Sequence, residues 1–280
     1  MNLVIQGAGA GAADASRIAA LGGAKSIEQF AQFAWRLRSA ARSPRSEADI
    51  AAYCESRSLD HAWVPESRRF AAMGLLAMDM DSTLITIECI DEIGGLLGIK
   101  PQIAAITARA MRGEVDYAES LRQRVSLLAG LGIDALDRVY DEKLRFSPGA
   151  EVLVKHAQDL GIKTLLVSGG FTFFTERIQK RLGLDHTLSN VLEIDDGKLT
   201  GRVKGAIVDA AAKAARFEEL ARALGLAKEQ TIAIGDGAND IPMMEAAGVS
   251  IAYRAKPVVR AKATCALDHS GLDGVINLFE

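Results

Sequence analysis

The stretch GLLAMDMDST, residues 74–83, decides the fold. The apolar run from Gly74 to Met78 reads as a buried strand, and it ends in two aspartates, Asp79 and Asp81, where charge is costly to bury. On an extended backbone, residues two apart face the same way, so both carboxylates look into one pocket. A bare pair repels. The pattern therefore asks either for a cap on the following helix, made by Asp81, Ser82 or Thr83, or for a cation that holds the charges together.

Further along, Lys163 to Val167, Thr231 to Ile234 and Val249 to Ala252 read as similar strands, alternating with amphipathic helices. That alternation predicts the α/β class: a Rossmann-like, mostly parallel sheet covered on both faces. Three of the four strands end in polar or glycine-rich clusters, DMDST, SGGF and GDGAND. Ligands of open α/β sheets sit beyond the carboxyl ends of the strands, so these clusters should converge on one crevice. The interval between the first two strands is too long for a plain crossover, and residues 86–146 are expected to form an inserted helical cap. DDGKLTG, residues 195–201, predicts a hairpin, and Ala206 to Ala223 a helix.

Before Phe70 the periodicity is weaker. Asn2 to Gln6, Phe33 to Leu37 and His61 to Val64 are strand candidates, with helices around Asp14 to Leu21 and Ser46 to Arg57. The expected organisation is a small N-terminal α+β domain over residues 1–70, βαβαβ-like, and a larger domain over 71–280. Gly7, Gly9 and Ala12 form G-x-G-x-x-A after a strand, which admits a dinucleotide-binding reading with Glu28 as its acidic partner. Against it, Ser26 to Phe33 reads as helical and too little chain precedes Asp79 for a full dinucleotide domain.

With 33 basic against 36 acidic residues in 280, the net charge of -3 provides no broad positive field for nucleic acid or an anionic membrane. Any anion recognition must be local. Cys54, Cys89 and Cys265 are odd in number and form no CxxC pair, and no apolar run is long enough to span a bilayer. The N-terminus lacks the basic region of a secretion signal, so a soluble cytoplasmic protein is expected.

Asp236 directly follows a strand and Asp240 lies one helical turn on; Asp79, Asp236 and the backbone at Asp81 offer the hard, all-oxygen shell that Mg²⁺ prefers. GDGAND alone also admits a calcium loop or an Asp-Gly turn, though it lacks the acidic spacing of an EF-hand. Ser168, Gly169 and Gly170 place a hydroxyl and backbone N–H groups at a helix start, either an anion site or a simple glycine turn. Taken alone, Lys213 reads as a surface lysine.

In this order the motifs resemble those of the haloacid dehalogenase (HAD) superfamily of phosphohydrolases, and DMDSTLITIECIDEI, AMRGEVDYAESLRQRVSLL, LVSGGF, DGKLTG and GDGANDIPMM are similar to its phosphoserine phosphatase family. The likeness runs over roughly Gly74 to Asp268. It implies a Mg²⁺-dependent phosphatase that forms an aspartyl-phosphate on Asp79, with Asp81 as proton donor and later base. It further implies metal binding by Asp79, the Asp81 carbonyl and Asp236, phosphate binding by Ser168, Gly169, Lys213 and Asn239, and support from Asp240 and Gly237.

For the rest of the substrate, the resemblance implies Glu88 for an ammonium and Arg124 for a carboxylate, with Met111, Gly113 and Tyr117 lining the pocket from the cap. On the residues alone, Glu88 could equally be a solvated acid and Arg124 could merely flank an apolar stripe. The implied small-molecule substrate is O-phospho-L-serine, in the last step of serine biosynthesis, with phosphohomoserine or phosphothreonine as the alternatives. Relatives often carry an amino-acid-sensing ACT-like domain ahead of the catalytic one, which raises regulation by serine through residues 1–70; a homodimer stays open. Gly94-Gly95 departs from the family's usual alanine without removing a chemical group.

Overall fold

The computed structural model describes residues 1–280. Two sheets organise it. The first contains β1 (Asn2–Gln6), β2 (Ser26–Ala31), β3 (Ala34–Arg38) and β4 (Asp60–Val64), with α1 (Ala12–Gly22) after β1 and α2 (Pro44–Ser56) before β4. Its order is β2-β3-β1-β4, and every pairing is antiparallel. Leu3, Ile5 and Leu37 meet Ile18 and Ile50 of the two helices in one apolar cluster.

Two expectations are corrected here. Ser26–Ala31 is a strand, not a helix, so the unit reads βαββαβ rather than βαβαβ. Its residues are almost all exposed, so no apolar alternation marked it; backbone pairing with β3 and the Glu28–Arg38 ion pair at 2.7 Å hold it in place. The glycine-rich turn after β1 also belongs to an antiparallel sheet, whereas a dinucleotide fold needs a parallel βαβ unit.

The second sheet is built on β5 (Leu75–Met78), the strand of the opening stretch. Leu76 and Met78 enter the core on one face while Leu75 and Ala77 enter the core on the other, the alternation of a strand covered on both sides. After it come α3 (Cys89–Leu96), α4 (Lys100–Met111), α5 (Tyr117–Ser126) and α6 (Asp134–Arg138), then α7 (Ala150–Asp159) and β6 (Lys163–Phe171). The chain continues through α8 (Thr172–Leu182), β7 (His186–Asp195), β8 (Lys198–Lys204), α9 (Ala210–Ala223), β9 (Thr231–Gly235), α10 (Ile241–Ala246), β10 (Val249–Tyr253), α11 (Pro257–Arg260) and β11 (Cys265–Leu267).

The order is β11-β10-β9-β5-β6-β7-β8, parallel throughout except for β8 at one edge. β5 lies between β6 and β9, so the strand order reverses at it and a crevice opens at its carboxyl end. The β7–β8 turn falls at Asp196-Gly197, both with positive φ (44° and 71°), as the DG signal requires. α9 begins at Ala210 rather than Ala206, because the Asp209 carboxylate accepts the Ala212 N–H and caps it there.

The helical insertion leaves and rejoins the sheet through a narrow neck. Ile85 bridges Phe146, Thr86 N–H donates to Arg145 O at 2.9 Å, and Ser147 N–H donates to Leu84 O at 3.0 Å. No helix is long and apolar enough to cross a membrane.

Candidate active site

Asp79 leaves β5 with extended backbone (φ -70°, ψ 161°), and its Oδ1 accepts the Met80 N–H at 2.8 Å. The chain does not continue as a strand. Met80–Leu84 makes a wide turn in which Asp81 is extended (φ -64°, ψ 135°) and Ser82 is left-handed (φ 56°). The two carboxylates still reach one cavity, through this turn rather than through a shared strand face. Asp81 Oδ1 also accepts the Cys89 N–H at 3.1 Å, at the start of α3. Capping and cavity-facing roles thus coexist in one side chain.

The cavity, of about 570 Å³, lies where β5, β6 and β9 end. It is lined by Asp79, Asp81 and Glu88 from the first segment, Ser168 and Gly169 from β6, and Asp236, Gly237 and Asn239 after β9. Met111, Tyr117 and Arg124 close it from the insertion. Most of the residues marked in the sequence therefore meet in one place. Gly113 does not; with φ of 74° it makes the turn between α4 and α5, outside the cavity wall.

Lys213 and Asp240 also lie behind the wall rather than in it. Lys213 is 1% exposed, and its Nζ donates to Asp79 Oδ1 and to Asp240 Oδ1, both at 2.7 Å. Asp240 Oδ2 in turn accepts the Gly237 N–H at 3.0 Å. The lysine thus holds the carboxylate of Asp79 in place and couples it to the GDGAND loop. This differs from a surface lysine, and its inward position follows from Phe217 and Leu220 continuing the same buried stripe of α9.

The SGG segment is shaped by space rather than by turn conformation. A Cβ on Gly169 would stand 2.1 Å from the Tyr117 hydroxyl, and one on Gly170 would stand 2.9 Å from Asp81 Oδ2. Tyr117 donates to Gly169 O at 3.2 Å, and the buried Asn190 donates to the same oxygen at 2.8 Å. Ser168 Oγ accepts the Gly170 N–H at 2.8 Å, which orients the hydroxyl.

Negative charge is in excess. Burial first, and then Asp240, raises Asp79 well above the usual carboxylate range against the pull of Lys213. Burial and then Glu88 push Asp81 up to about 7. Burial, then Asp240 and Glu88, push Asp236 up to about 6. For Lys213, burial works against the ammonium, but Asp240 and Asp79 outweigh it and keep it charged. Carboxylate oxygens of Asp79, Asp236 and Asp240 lie within 4.8 Å of one another. This donor set, all oxygen and short of positive charge, fits a hard divalent cation.

Several contacts carried no sequence signal. Thr83 donates to Asp236 Oδ1 at 3.3 Å, Asn190 holds the SGG backbone, and Lys256 and Val258 form part of the cavity rim. Ser82 donates to Glu88 Oε1 at 2.6 Å. Each depends on a contact between segments distant in sequence or on the turn at Ser82, which no local pattern encodes.

The haloacid dehalogenase-like hydrolase family model matches residues 76–245. The chain belongs to that family. Phosphoserine phosphatase of Polaromonas sp. is 54% identical over 73% of this chain and 89% of its own, and that of Albidiferax ferrireducens is 51% identical over 76% and 92%. Among solved structures, a HAD family hydrolase from Salmonella enterica serovar Typhi matches with a TM-score of 0.91 at 32% identity, over 100% of this chain and 98% of that one. A probable phosphoserine phosphatase from Vibrio cholerae matches at 0.85 and 36%, over 99% and 85%. A substrate-bound phosphoserine phosphatase matches at 0.69 and 37%, over 74% and 99%. The similarity of both sheets to full-length neighbours and of the larger unit to dedicated phosphatases places this HAD hydrolase in the phosphoserine phosphatase family.

Proposed function

We propose that the protein hydrolyses O-phospho-L-serine to L-serine and phosphate through a phosphoryl group carried on Asp79. The observation that carries this reading is the meeting of Asp79 and Asp81 with Ser168, Glu88 and Arg124 in one cavity. Phosphomonoester hydrolysis is among the slowest uncatalysed reactions and needs roughly 20 kcal/mol or more of stabilisation. Positioning and charge must supply it.

Asp79 Oδ attacks phosphorus and the P–O bond to the serine oxygen breaks, while Asp81 gives that oxygen its proton. A carboxyl raised to about 7 still holds a proton near neutrality, which suits a donor. The same group then takes a proton from the water that cleaves the aspartyl-phosphate. Lys213 keeps Asp79 from turning away, and the Ser168 hydroxyl with the backbone of Gly169 and Asn239 binds phosphoryl oxygens. Asp79, the Asp81 carbonyl and Asp236 would hold Mg²⁺, which supplies positive charge against the incoming dianion, with Asp240 and Gly237 supporting the loop.

Glu88 pairs with the serine ammonium and the planar fork of Arg124 with its carboxylate. Met111 and Tyr117 close over them. We place the reaction in the cytoplasm, at the end of serine biosynthesis, and assign it to residues 71–280, with residues 1–70 as a separate small α+β domain. Phosphate release should be measured for O-phospho-L-serine, phosphohomoserine and phosphothreonine, with and without EDTA. Phosphoserine should have the highest kcat/KM, EDTA should abolish turnover, and Asp79→Asn should lower kcat by about 10³-fold or more. A different best substrate overturns the specificity, and metal-independent turnover by Asp79→Asn overturns the mechanism.

A further inference from the structure

A second cavity, of about 470 Å³, opens between β4 of the small sheet and β11 of the large one, and the chemistry above uses none of its residues. Arg42, His61, Trp63, Arg68 and Arg260 line it, with Glu47 as its one carboxylate. Two of the arginines already have an acidic partner. Arg42 pairs with Glu47, and Arg260 pairs with Asp268 at 2.8 Å. Arg68 makes no ion pair, and its Nη1 is buried without a hydrogen-bond partner.

A guanidinium stays charged at any working pH, and leaving it half-buried without a counter-charge is costly. Its planar fork fits two oxygens of one carboxylate or phosphate. Trp63 comes from β4 and Arg42 from the segment just before α2, while Arg260 ends α11 beside the large sheet. We propose that this cleft binds a small oxyanion, a phosphate or a carboxylate, gripped by Arg68 and flanked by Arg42 and Arg260.

The cleft also shares an element with the catalytic cavity. Arg260 ends α11, while Lys256 and Val258, within the same few residues, line the catalytic cavity, and the Lys256 N–H donates to Asp236 O at 3.2 Å. An anion drawing on Arg260 therefore acts on the segment that backs Asp236. Two domains and two cavities meet at α11.

Trp63 provides a direct readout, because Trp35 is the other of two tryptophans and neither lines the catalytic cavity. In the full-length protein carrying Trp35→Phe, emission should be followed during separate titrations with inorganic phosphate and with acetate. A saturable change with one or both is expected; whichever anion produces it identifies the source. Arg68→Met should weaken that binding at least about tenfold, as for loss of one charge-assisted pair. Asp79→Asn should leave it unchanged, which separates the cleft from phosphate bound at the catalytic site. No saturable change with either anion, or the same affinity in Arg68→Met, overturns the proposal. Should Arg68→Met fail to fold by circular dichroism, Arg260→Gln replaces it under the same criterion.

Discussion

Lys213 occupies the first of three inward positions on α9, four residues before Phe217 and seven before Leu220. On its residues alone Lys213 reads as a surface lysine, and only the fold shows that it points inward to Asp79 and Asp240. Lys213→Met should leave two buried carboxylates uncompensated. The expected cost is about 3–5 kcal/mol of stability, read by urea denaturation, together with loss of phosphatase turnover. Glu88 and Arg124 were legible only through family resemblance, since an acid or an arginine on a helix has many ordinary uses. If they hold the two charged ends of serine, Glu88→Gln and Arg124→Ala should each raise KM for O-phospho-L-serine about 10–100-fold, because each removes a charge-assisted contact. Phosphoethanolamine, which lacks the carboxylate, should be hydrolysed by wild type and Arg124→Ala with similar kcat/KM. Gly169 offers a steric test: Gly169→Ala should cut kcat/KM about 5–100-fold by displacing the Tyr117 hydroxyl, and adding Tyr117→Phe should restore part of it.

At the scale of elements, apolar runs with polar ends identified the central strands within one to four residues, because a strand buried on both faces is hydrophobic all along. β2 escaped notice for the opposite reason: an exposed edge strand has no apolar face, and its pairing with β3 decides its conformation. The insertion shows a similar divide. Of the twelve residues in α4, Ile103 alone is buried, so little packing holds that helix down. Amide exchange in α4 and in the turn to α5 should therefore be faster than in β5, β6 and β9. On the proposed binding mode, with Met111 and Tyr117 closing over the substrate, added O-phospho-L-serine should slow it; equal protection with and without substrate would remove the case for closure.

Across the whole molecule, the two sheets are joined through buried polar contacts as well as through shared apolar packing. The Asp60 carboxylate, at the start of β4, accepts backbone N–H groups from Asp268 at 2.7 Å and Ser270 at 2.7 Å, and from His269 at 3.1 Å. Val4, Ala62 and Val64 enter the same apolar cluster as Leu278 and Phe279, and Arg36 donates to the Phe279 carbonyl at 2.6 Å. Asp60→Ala should cost about 3 kcal/mol by stranding those donors, a fall of roughly 6–10 °C in Tm. KM for phosphoserine should stay within about twofold, as the catalytic cavity does not include Asp60.

By itself, the sequence determined that an α/β sheet carries carboxylates, a hydroxyl and glycines at its strand ends, because strand period, strand-end polarity and turn chemistry are local properties. It did not determine that Lys213 lies behind Asp79, that Asn190 braces Gly169, or that α11 stands between two cavities. Those arrangements depend on which strands become neighbours. Neighbours in space are chosen by packing summed over the whole chain, which no short stretch of sequence contains.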